Sequence, residues 1–129
     1  MGSGDVTVFI CISCKGSDAS RERPGRLLFD AVTVGLRARA DGEVTVKPVD
    51  CLGVCKRPCT VALAGNGKWT YVFGDLSYES HADDVIAAAL SFGASENGII
   101  PWRERPQSFR KGVVSRIPPL GFRPEEQGL

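Results

Sequence analysis

The chain has 129 residues, 43% of them apolar and 24% charged, with 16 Lys+Arg against 15 Asp+Glu and a formal charge of +1. That is one domain's worth of sequence, long enough to hold a core without disulfide staples, and its balance excludes both a globally basic nucleic-acid binder and an acidic buffer protein. No apolar run reaches the roughly 18 residues of a membrane span. The first residues lack the basic start and apolar stretch of a secretory signal, and Val6 stands where a myristoylation motif wants Ser or Thr. A cytoplasmic setting is therefore expected. There, five cysteines point to metal binding or thiol chemistry rather than to a disulfide framework.

The first element is a strand: residues 5–12 (DVTVFICI) are β-branched and aromatic with period 2 and end in the first cysteine pair. A polar stretch, Lys15 to Arg23, leads to Pro24, which suits the first turn of a helix. From Leu27 to about Arg39 the residues Leu27, Leu28, Ala31, Val32, Gly35 and Leu36 recur at helical spacing. Asp41-Gly42 stops that helix. A second strand over 43–49 (EVTVKPV) runs directly into Asp50-Cys51. Residues 60–64 (TVALA) and 68–73 (KWTYVF), joined through Gly65-Asn66-Gly67, make the clearest hairpin. Ser80 followed by Asp83 reads as a capping box for a second helix striped by Val85, Ile86, Ala89 and Leu90. The order strand, helix, strand, hairpin, helix predicts an α/β fold in which a parallel crossover is extended by an antiparallel hairpin.

Composition changes after Gly98. Residues 99–129 hold five of the eight prolines and six Lys/Arg against three Glu, a charge of +3, while residues 1–98 carry ten basic and twelve acidic side chains, −2. The division expected is a domain over 1–98 and a Pro/Arg-rich extension over 99–129. Its close prolines argue against regular structure there, yet Ile99, Ile100, Trp102, Phe109, Val113, Val114, Ile117, Leu120 and Phe122 supply apolar anchors. The extension is thus either a strap over the domain's own surface or, with Arg103, Arg105, Arg110, Lys111, Arg116 and Arg123, a docking arm for an acidic partner.

The chemistry lies in Cys11-Ile12-Ser13-Cys14 and, after thirty-six intervening residues, Cys51-Leu52-Gly53-Val54-Cys55, with Cys59 after a further three. Both pairs fall at C-terminal ends of predicted parallel strands, the edge where loops of an open α/β sheet converge on a site. Four thiolates at one point need a cation, and tetrathiolate sites suit zinc or iron-sulfur clusters. Structural zinc usually staples knuckles with about fifteen to twenty residues between pairs. Here a helix and a strand intervene, and Gly53 would let backbone N–H groups approach inorganic sulfides. Both features favour a [2Fe-2S] cluster over zinc.

These features resemble the thioredoxin-like [2Fe-2S] ferredoxins: the strand order, the cysteine pair after the first strand, the long gap and the Cys51-Leu-Gly-Val-Cys55 motif followed by Pro58. The small subunit of respiratory complex I and of related hydrogenases is similar. Three segments, 51–63 (CLGVCKRPCTVAL), 68–76 (KWTYVFGDL) and 100–106 (IPWRERP), look like a bacterial family of predicted metal-binding proteins often encoded beside cobalamin-biosynthesis genes. The resemblance implies a one-electron carrier rather than an enzyme, serving cobalamin synthesis. It also implies a redox partner protein, a homodimer, and a cluster held by Cys11, Cys14, Cys51 and Cys55. Two departures leave the ligand set open: the first pair is narrower than in the ferredoxins, and Cys59 is a fifth cysteine that could replace Cys14.

Other readings stand beside this one. In a thioredoxin-like fold a Cys-x-x-Cys after the first strand is also where thiol-disulfide exchange occurs, with Pro58 placed like that superfamily's site-facing proline; the polar segment before the helix argues that its N-terminal dipole is too far to activate a thiol. A zinc-holding structural or metal-delivery protein is the third. Lys15, Lys56 and Arg57 flank the ligands and are expected to favour a reduced cluster. Trp69, Tyr71 and Phe73 share one hairpin face, core or dimer interface. His81 is expected at the surface, and Asp75 and Tyr78 in a turn without a second acid or base nearby. No phosphate loop or nucleophile elbow is present.

Overall fold

The computed structural model describes residues 6–13, 24–39, 44–53, 59–77 and 79–123. Strand β1 (Val6–Cys11) is followed by helix α1 (Pro24–Arg39), which starts at the proline, and by β2 (Val44–Val49). The two strands pair in parallel, with Val6 opposite Val44 and Cys11 opposite Val49. The hairpin forms as β3 (Val61–Gly65) and β4 (Thr70–Phe73). Its first strand lies antiparallel on the free side of β1, with Ile10 opposite Val61. Helix α2 (Ala82–Ala94) follows.

Residues beyond 98 depart from the expectation of an irregular tail. They form a 3-10 turn (Trp102–Glu104), a short helix α3 (Ser108–Lys111) and a fifth strand, β5 (Val113–Ile117), which pairs antiparallel with β4. The sheet order is β2-β1-β3-β4-β5. The prolines lie outside these elements: Pro106 precedes α3 and Pro118 follows β5, which leaves a proline-free stretch for one helical turn and an edge strand.

One face of the sheet makes the core. Helix α1 packs on β1 and β2, α2 packs on β1 and β3, and the helices pack on each other. The four-residue spacing of Leu28, Val32 and Leu36 puts all three on the buried stripe of α1. They meet Val6, Val8 and Ile10 of β1 and Val85, Ile86, Ala89 and Phe92 of α2. Tyr71 and Phe73 are fully buried here, stacked at 5.3 Å, with Phe73 also 4.2 Å from Phe109 of α3. The hairpin's aromatic face is therefore filled from within the chain, so Tyr71 and Phe73 offer nothing to a second copy. Trp69 is half-buried, edge-on to Phe122 and beneath Arg116.

Two local devices differ from the sequence reading. The N-cap of α2 is His81, not Ser80, and no side chain caps it. Instead His81 Nδ1 accepts the Ser77 N–H at 2.8 Å, which leaves His81 half-buried. At the other end of α2, buried Lys68 donates through Nζ to the Ser95 carbonyl and to that of Gly93 at 3.4 Å. It thereby satisfies acceptors that a helix C-terminus leaves open. Burial lowers its pKa from the ordinary lysine value, a trend that Glu96 opposes.

Candidate metal centre

The topology collects three cysteines at one edge of the sheet. Cys11 ends β1, Cys51 lies two residues past β2, and Cys59 stands two residues before β3. The parallel register brings the first two strand ends together. It is continued by Ile12 N–H donating to Val49 O at 2.9 Å and by the Ser13 hydroxyl donating to the Asp50 carbonyl. The Cys11 sulfur lies 3.5 Å from that same carbonyl. On the other flank, Cys11 N–H donates to Thr60 O at 3.1 Å, which sets Cys59 one residue further along.

The three sulfurs have different surroundings. Cys51 is exposed, and the Gly53 N–H donates to its Sγ at 3.1 Å. Gly53 itself has a left-handed backbone, φ +82°, which a residue with a Cβ adopts only under strain. Cys11 is buried. Against its carbonyl lies the start of α1: a Cβ added to Gly25 would sit 1.8 Å from Cys11 O. The helix thus starts against the backbone of Cys11, closer to the strand end than the intervening polar segment suggests. Cys59 belongs to the hydrophobic core. Its backbone is bonded in both directions to Leu76, N–H to O at 3.0 and 3.2 Å. Burial pushes its thiol up to about 11 from 9.0, with the charge of Cys11 adding to the shift.

Cys14 and Cys55 lie outside the described residues, as do Lys15, Lys56, Arg57, Pro58 and Tyr78. Among the described residues no three His, Cys, Asp or Glu side chains gather as a metal-binding group. What is described fits a thiolate-bound metal at two of its corners. Cys11 and Cys51 stand at adjoining strand ends, and the sulfur of Cys51 already accepts a backbone N–H, the type of contact that steadies a coordinating thiolate. Asp75, at φ +61° after β4, is next to Leu76 and so borders the Cys59 side of this edge.

A four-stranded parallel-and-hairpin core with both helices on one face and cysteines at the ends of the first two strands defines a thioredoxin-like fold of the ferredoxin type. Comparison with solved structures shows the same. A thioredoxin-like [2Fe-2S] ferredoxin from Aquifex aeolicus superposes with a TM-score of 0.58 at 18% identity, over 93% of this chain and 99% of that one. A second structure of the wild-type Aquifex aeolicus protein gives 0.56 at 16% identity, over 87% and 98%. Residues 8–119 match the family described as "Protein of unknown function (DUF1636)", and the chain belongs to that family. No curated protein matches it. Among the described residues no helix is long and apolar enough to cross a membrane.

The sequence reading missed the close approach of Gly25 to Cys11 and the Ser13 contact to Asp50. A glycine directly after a helix-initiating proline was the available signal for the first, since glycine weakens a helix and is placed there only for a reason of space.

Proposed function

We propose that this protein is a one-electron carrier whose [2Fe-2S] cluster is held by Cys11, Cys14, Cys51 and Cys55. The observation that carries the proposal is the convergence of Cys11 and Cys51 at neighbouring parallel strand ends, with a backbone N–H aimed at the Cys51 sulfur. The fold shared with [2Fe-2S] ferredoxins supports it. Bound there, the cluster supplies reversible one-electron chemistry with no substrate bond made or broken. The chain's own part is to fix the sulfurs, to donate the Gly53 N–H, and to bury Cys11 while Cys51 remains open to a partner's surface. Cys59 lies among core side chains with its thiol kept neutral, which supports a packing role for it rather than a place among the ligands.

Thiol-disulfide exchange is less well supported. An exchange enzyme needs its first cysteine accessible as a thiolate, and Cys11 is 2% exposed. The partners proposed are a redox protein and a second copy of the chain, in a cytoplasmic setting. Service to cobalamin synthesis is proposed from the family resemblance of segments 51–63, 68–76 and 100–106 alone, and no described side chain is arranged for a corrin.

Visible absorption and metal content of anaerobically purified wild type, Cys51→Ala and Cys59→Ala test the assignment. The expected result is a red-brown wild type, a Cys59→Ala variant of equal colour, and a Cys51→Ala variant stripped of it. A wild type holding stoichiometric zinc, or colour lost with Cys59, would refute it.

A further inference from the structure

The segment after Gly98 carries six basic side chains. Among the described residues the single ion pair is Arg26–Asp30 on α1. Arg105 is used internally: its Nε donates to Ile100 O at 2.9 Å, and its guanidinium lies over the ring and hydroxyl of buried Tyr71. Arg110 is used differently. It donates to the carbonyls of Trp102 and Arg103 at 3.2 and 3.1 Å, and its guanidinium stacks 4.7 Å from the Trp102 ring centre. Trp102 nevertheless stays 59% exposed. A large aromatic ring held in one position yet left in solvent has its ordering cost already met, which is how interface anchors are built.

Arg103, next to Trp102 in the chain, and Lys111, next to Arg110, are both exposed. The patch also lies at a useful place. β4 ends and β5 begins at the same sheet edge where β1 ends in Cys11, and Gly74 N–H donates to Gly112 O at 2.8 Å across that edge. Three interstrand steps put the start of β5 about 14 Å from the end of β1. The acidic neighbours are discrete: Glu104 in the same turn, and Asp75 and Asp84 across a cavity of about 500 Å³ that Lys111 and His81 also line. A continuous phosphate backbone would run against these carboxylates, whereas a protein's separate carboxylates and one apolar side chain fit around them.

We infer that Trp102, stacked by Arg110 and with exposed Arg103 and Lys111 beside these two in the chain, is a docking surface for the acidic face of a partner protein. That the partner is a redox protein rests on the electron-carrier reading; its charge and the anchoring role of Trp102 rest on these side chains alone.

The test is binding of the full chain, at low and at physiological salt, to three probes: a short oligoglutamate peptide, the same peptide with two central leucines, and an oligothymidine of equal charge. The leucine peptide is expected to bind tightest. Replacing both Arg103→Gln and Lys111→Gln should weaken both peptides about fivefold, since exposed charges contribute little each. Trp102→Ala should erase the advantage of the leucine peptide and leave oligoglutamate binding unchanged. All three positions are exposed, and circular dichroism checks that the variants fold. Tightest binding of oligothymidine, or peptide affinities that ignore these variants, would overturn the inference. The visible spectrum of the same samples reports the cluster. A colourless protein that binds the peptides refutes the carrier reading and leaves the surface standing, and a coloured protein that ignores them does the reverse.

Discussion

Gly25 and Gly53 border the same site and answer the same substitution for different reasons. A Cβ at Gly53 meets nothing within 4 Å, so Gly53→Ala costs only the left-handed backbone, about 1 kcal/mol. A Cβ at Gly25 collides with the Cys11 backbone, which cannot move without parting α1 from β1, so Gly25→Ala should cost about 3 kcal/mol. Denaturant midpoints of the two variants measure the difference, and equal losses would mean that α1 does not start against Cys11. Cys59 supplies a second residue-scale test. Its thiol, raised to about 11, keeps its proton in the folded chain where the unfolded chain, at 9.0, has lost it. The folded state then binds more protons between those values, so stability falls as pH rises from about 9 to 11. Urea midpoints across that range should show the fall in wild type and a shallower one in Cys59→Ala. Iodoacetamide at neutral pH should modify Cys59 only once the chain is unfolded. Neither property could be read from the sequence, where Cys59 simply follows Cys55 after three intervening residues; it takes the bonds to Leu76 to place it in the core.

The elements were largely legible and their edges were not. Alternation of β-branched residues gave β1, β2 and the hairpin, and the spacing of Leu28, Val32 and Leu36 gave α1, because period and burial coincide in these segments. The segment after Gly98 was misread for a physical reason. Proline density was averaged over 99–129, whereas what matters is the distance between consecutive prolines, and Val113–Ile117 needs only five residues and one hydrogen-bonding neighbour to become an edge strand. The consequence is energetic. Ile100 and Phe109 are in the core, with Phe109 packed on Phe73. Phe109→Ala should cost about 3 to 5 kcal/mol in a denaturant titration. A chain ending at residue 98 should be insoluble because Tyr71 and Phe73 lose their cover; soluble, cooperatively unfolding 1–98 would show instead that the first six elements stand alone.

For the whole molecule, the formal charge of +1 conceals a division that the structure makes spatial. The cysteines collect at one end of the sheet, and the basic side chains of the last elements begin at the same end, three strands away. The candidate site was legible in the sequence as two cysteine pairs after parallel strands, since a cysteine at the end of a predicted strand has its place in an α/β sheet fixed by topology. The surface around Trp102 was legible only as charge, because its order depends on Arg110 reaching back to the carbonyls of Trp102 and Arg103. The cofactor decides the function. Iron and acid-labile sulfide should be measured on anaerobically purified protein, with electron paramagnetic resonance after dithionite reduction. Two irons and two sulfides per chain and a spin-one-half signal from one added electron are expected; a colourless protein with one zinc per chain and no signal would contradict the electron-carrier assignment.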